Sequence, residues 1–184
     1  ATESNNVALI ATLAESHPLD GIDLLLSANA NSQELQLHTH ESTAPLIDFS
    51  GTRDNSRRHQ ILGTPQSVPA NAFSFWSRLR TGQTPDESGL WIVDLDSISA
   101  PLNGQRLVAI GGSTANGGAL TLEAPVASSF NATLAGAFTA SLEDGDENSF
   151  NNDIAIWSVD SSSNATLIAK TGDTAPDSSD TFLS

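Results

Sequence analysis

One unit recurs three times along the chain, and that recurrence limits the fold more than any other feature. A small-apolar run ending in leucine occurs as Val7-Ala8-Leu9-Ile10-Ala11-Thr12-Leu13. It recurs as Ala72-Phe73-Ser74-Phe75-Trp76-Ser77-Arg78-Leu79 and as Gly136-Ala137-Phe138-Thr139-Ala140-Ser141-Leu142, and the terminal leucines lie 66 and then 63 positions apart. A polar loop follows each run, holding Asp20, then Asp86 and Glu87, then Asp144 through Asp153. A second apolar run comes next: Gly21 to Leu26, Gly89 to Asp94 and Ala155 to Asp160, with Trp91 and Trp157 at matching points. The third is Leu35 to His38, Leu107 to Ile110 and Leu167 to Lys170. A fixed period of this kind marks a unit that buries its apolar face by packing on its neighbours.

Each run is short, alternating and bounded by Gly, Asn, Asp, Ser or Pro, which is how strands and their turns read in sequence. Residues 8–16 and 131–142 are Ala-rich enough to suggest helix, but strand spacing fits them as well and the repeat favours strand. The expected fold is all-β: three imperfect repeats of about 65 residues, propeller-blade-like or sandwich-like antiparallel sheets, within a single domain spanning 1–184. The copies fall near 7–50, 70–115 and 130–184. Trp91 and Trp157 read as core anchors between strands rather than as ligand platforms. Thr43-Ala44-Pro45 and Thr174-Ala175-Pro176 follow the third strands, leading towards Phe49 and Phe182, while the middle copy has Gly111-Gly112-Ser113-Thr114.

The stretches Gly136 to Leu142, Ile156-Trp157-Ser158-Val159-Asp160 and Leu167-Ile168-Ala169-Lys170-Thr171-Gly172-Asp173-Thr174-Ala175-Pro176 resemble a recurrent unit of bacterial exported proteins. In those propeller-like repeat proteins an Ala-Phe-x-Ala-x-Leu strand, a Gly-Ile-Trp strand and a Leu-Val-Ala-x-x-Gly-Asp-x-Ala-Pro strand-turn recur. The first copy departs from that pattern at Glu41-Ser42, and the middle copy lacks the turn motif. The resemblance implies a β-rich blade, an extracellular or cell-surface location and no catalytic residues to carry over. An opening at Ala1-Thr2-Glu3 is expected of a mature chain after removal of a signal peptide, and equally of a trimmed chain. Three blades leave sheet edges open where closed propellers use four or more, and open edges invite strand addition. The chain reaches Thr181-Phe182-Leu183-Ser184 where a following unit would begin.

Charge narrows the partners. There are 7 Lys and Arg against 22 Asp and Glu, a formal net charge of −15, so nucleic acid is repelled. No apolar run approaches the ~20 residues that span a bilayer, so membrane insertion is not expected. Cysteine is absent, and with it any disulfide or thiolate metal site. The charge is −7 over residues 1–50, +1 over 51–107 and −9 over 108–184. That pattern lets Arg53, Arg57 and Arg58 of one copy meet the acidic end of another, although Arg57-Arg58 reads more simply as a solvated loop.

Among candidate sites, Asp144, Asp146, Asn148 and Asp153 can supply oxygens to a Ca²⁺ ion, and no other cofactor is in view. The sixth position from Asp144 is Ser149 and the twelfth Ala155, so the helix-loop-helix calcium pattern fails and a solvated hairpin loop is the simpler reading. His38 and His40 are two apart on one strand, short of a zinc ligand set, and His17 and His59 read as loop residues. Asn131-Ala132-Thr133 and Asn164-Ala165-Thr166 are glycosylation sequons, Asn164 in the more accessible turn. Nucleophile-elbow, zinc-helix and phosphate-loop motifs are all missing. The expectation is a non-enzymatic extracellular structural or adhesive protein that assembles with itself into a surface layer or filament. The alternatives are a carbohydrate- or Ca²⁺-dependent binding module and a fragment of a larger secreted hydrolase.

Overall fold

The computed structural model describes residues 6–12, 22–29, 31–46, 52–69, 71–81, 84–96, 105–110, 121–143, 153–176 and 179–182. Those residues form strands and turns with no helix; of the two Ala-rich segments, 8–12 and 136–142 are strand and 131–135 is a turn. The first sheet has the order β1-β2-β3, from Asn6–Thr12, Asp23–Asn29 and Leu35–His40. The second runs β4-β6-β7-β8, from Arg57–Leu62, Ala72–Thr81, Thr84–Asp94 and Gln105–Ile110, with β5 (Gln66–Val68) also pairing β6. The third runs β9-β10-β11-β12, from Thr121–Phe130, Gly136–Glu143, Asp153–Val159 and Ala165–Lys170. All pairing is antiparallel, and the three strands of each repeat lie together in one sheet.

Register makes the copies equivalent residue by residue. Each third strand carries a bulge at the same place: Leu26 pairs Leu37 and Leu25 pairs Thr39, leaving His38 as the extra residue. Val108 is extra between Leu107 and Ala109, and Ile168 between Leu167 and Ala169. Beside the bulge the central strand presents Leu26, Trp91 or Trp157, paired across the sheet with Leu9, Phe75 or Phe138. Phe75 stacks on Trp91 with ring centroids 5.4 Å apart, and Phe138 on Trp157 at 5.0 Å. Such pairs contribute about 0.5–1.5 kcal/mol beyond their burial. Both tryptophans are buried, as core anchors should be.

The sheets stack. One face of the second sheet, with Phe73, Phe75, Leu79, Trp91 and Val93, packs on Leu25, Ala8 and Ile10 of the first. Its other face, with Ala72, Leu90, Ile92 and Val108, packs on Phe138, Ala140, Ala155, Trp157 and Val159 of the third. A strand buried on both faces needs no polar alternation, and this explains the unbroken Leu90-Trp91-Ile92-Val93. A Cβ on Gly89 would lie 2.3 Å from the Trp91 ring, so only glycine lets that ring lie flat over the neighbouring strand position.

Three hairpins share one turn chemistry. Asn29, Asn131 and Asp160 each accept backbone N–H groups on their side-chain oxygen, from Asn31 and Ser32, from Thr133 and Ala135, and from Ser162 and Asn164. Each turn also holds one left-handed residue: Gln33, Leu134 or Ser163. Short Asx side chains stabilise such turns locally, and the left-handed residue lets the chain reverse into the second strand.

Candidate functional site

The equivalent positions expose what the stack leaves uncovered. Leu25 and Leu90 are 0% and 2% exposed, whereas their counterpart Ile156 on the third sheet is 41% exposed. The bulge residues His38 and Val108 are 3% and 5% exposed, yet Ile168 is 60%. In the first two sheets the next layer covers these positions, and on the third sheet they face outward with Ile154. The opposite end mirrors this. Phe73, facing the first sheet, is 2% exposed, while Val7, its counterpart, is 59% exposed. Leu35 and Leu37 stand exposed on the same outward face as Val7, Leu9 and Leu26. The two ends thus present aliphatic surfaces, and contiguous exposed apolar surface marks contact sites.

The edges differ as well. In the second and third sheets a further strand, β4 with β5 or β9, lies beside the strand equivalent to β1. Among the described residues β1 has no such neighbour. After β3 the chain bonds to β4 through the main chain: the Ser42 amide donates to the His59 carbonyl at 2.7 Å and the His59 amide to the Thr43 carbonyl at 2.9 Å. Gly172 donates likewise to the Phe182 carbonyl, and Phe182 to that of Asp173, both at 3.0 Å. Ser42, with φ 68°, therefore occupies the position of Gly172, with φ 87°, and Thr43 that of Asp173. The alignment expected from Thr-Ala-Pro is off by one residue, and His59 rather than Phe49 matches Phe182.

His59 is accordingly a buried residue of β4, not a loop residue. Its Nδ1 lies 2.8 Å from Ser77 Oγ, and its ring meets Trp91 edge-on at 5.1 Å. Burial, with smaller contributions from Arg53 and His40, lowers its pKa to about 3. His38 sits between the first two sheets, with Nε2 2.8 Å from Ser27 Oγ and its ring edge-on to Phe73, and burial lowers its pKa to about 4. The bulge breaks the alternation that would have put His38 and His40 on one face. The Gln105 side chain donates to the His38 carbonyl at 2.6 Å and ties the two sheets together.

Of the proposed calcium ligands, Asp144, Asp146 and Asn148 lie outside the described residues, and Asp153 opens β11. No group of three His, Asp or Glu side chains suited to a metal is present among the described residues. Arg53 donates to the Ala44 carbonyl, Arg57 forms an ion pair with Asp54 at 2.7 Å, and Arg58 donates to the carbonyls of Asn55 and Arg57. All three arginines are thus engaged near the first turn of the second sheet. The Asn131 side chain is exposed and braces its turn, whereas Asn164 Nδ2, the atom a glycan would occupy, donates to Asp160 at 2.8 Å. Beside the first sheet, Asn6, Ser27, Asn29, Ser32, Glu34 and Gln36 line an open polar cleft of about 530 Å³.

A family model matches residues 48–184. The chain belongs to this family of unknown function, DUF7453. The matched span takes in both sheets that have an added outer strand and leaves out the three-stranded first sheet. No curated protein and no solved structure matches the chain. Among the described residues no helix is long and apolar enough to cross a membrane.

Proposed function

We propose that the chain is a non-enzymatic, exported structural protein that works by assembling with itself. The observation that carries this reading is the pair of outward aliphatic faces, at positions whose counterparts inside the molecule are covered by a neighbouring sheet. Burying an aliphatic side chain of this size is favourable by about 1.5–3 kcal/mol, so several on each face give association a driving force. The net charge of −15 opposes it through self-repulsion, which salt screens. Negative-stain electron microscopy at physiological salt tests the proposal: rings or filaments support it, and a field of isolated 19.2 kDa particles refutes it. A second reading, a carbohydrate-binding module, is favoured by the polar cleft beside the first sheet, whose amide and carboxylate lining suits a polyol. A glycan array without hits counts against that reading.

A further inference from the structure

We infer that the outward face of the third sheet docks on the outward face of the first sheet of a second copy, head to tail. This rests on the self-assembly reading and specifies its interface. Inside the molecule one contact is made twice. The central-strand face bearing Trp91 covers the Leu25 and His38 face of the sheet before it. The face bearing Trp157 in turn covers the Leu90 and Val108 face. In both cases the bulge residue points into the layer that follows it in the chain.

That contact has two unlike halves, and each end of the stack exposes one of them. The third sheet offers Ile156 and Ile168 where Leu25, His38, Leu90 and Val108 are buried. The first sheet offers the half-buried Leu9 and Leu26, flanked by exposed Val7 and Leu37, where Phe75–Trp91 and Phe138–Trp157 are covered. A second copy brings the complementary half by continuing the internal stacking, and no new kind of surface is required. Because the halves differ, the contact is heterologous: it closes a ring if the rotation between sheets closes, and otherwise grows a filament. An isologous pairing of two third sheets would leave the first-sheet face bare.

The test uses full-length chains and light scattering coupled to size-exclusion chromatography. One variant, Ile156→Glu with Ile168→Glu, blocks the third-sheet face, and another, Val7→Glu with Leu37→Glu, blocks the first-sheet face. These side chains are exposed, so circular dichroism and thermal melts should match wild type and confirm folding. Each variant alone is expected to be monomeric, and an equimolar mixture to give one dimer of about 38 kDa, twice the 19.2 kDa chain, and nothing larger. If either variant still dimerises alone, or the mixture stays monomeric while wild type assembles, the head-to-tail contact is wrong and self-assembly stands on another surface. A wild type that is itself monomeric removes both.

Discussion

Trp157 closes the inner face of the third sheet, stacked on Phe138 at 5.0 Å and 3% exposed, so Trp157→Ala should cost about 3–5 kcal/mol, read from urea denaturation. Gln33 is exposed and holds φ 57°. A left-handed non-glycine residue costs roughly 1–2 kcal/mol, so Gln33→Gly should raise stability by about 1 kcal/mol and lift the melting temperature. His38 and His59 set a pH limit. Both are neutral in the fold, with pKa values lowered by burial from 6.5 to about 4 and about 3. Their stabilisation is complete above the unfolded value of 6.5 and is lost as pH falls towards the folded values, because the unfolded chain binds protons first. Between pH 7.5 and 5 each should cost about 2 kcal/mol, before most carboxylates titrate. Urea midpoints across that window should fall steeply for wild type and less steeply for His59→Gln, and equal slopes would contradict the assignment. Sequence placed the tryptophans in the core but not His59. A lone histidine beside two arginines carries no sign of burial until the strand over Arg57–Leu62 is known.

At the scale of elements, the strand bodies were legible because alternating apolar residues at a fixed period leave little choice. The bulges were not. One extra residue on β3, β8 or β12 leaves the hydrophobic pattern nearly unchanged, yet it decides whether His38, Val108 and Ile168 face the next layer. The outer strands β4 and β9 also escaped, since Arg57-Arg58 reads as a solvated loop until β6 is seen beside it. The turn after β3 was misaligned by one residue because backbone conformation, not the Thr-Ala-Pro letters, defines the equivalence of Ser42 and Gly172. Gly89 tests how tightly the bilayered burial of β7 is specified. With the Trp91 ring 2.3 Å from where a Cβ would stand, Gly89→Ala must displace the ring from Phe75. The expected loss is about 1–3 kcal/mol, as for other overpacked cores, visible in denaturation and in quenched or shifted tryptophan fluorescence.

Across the whole molecule, the described strands form three sheets that bury one another in order and leave aliphatic side chains exposed on the outward faces of the first and third. The all-β architecture was legible from short alternating runs, bounded by turn residues and repeated at a fixed period, whereas the exposed faces were not, because Ile156 and Leu25 look alike in sequence and differ only in what lies over them. Membership of DUF7453 adds no activity, so the physical surface carries the functional reading. The most direct test is the molar mass of the wild-type chain by light scattering, from micromolar to millimolar concentration at physiological salt. Stacking through the two outward faces predicts masses that rise with concentration in steps of 19.2 kDa. A constant 19.2 kDa across that range would contradict it.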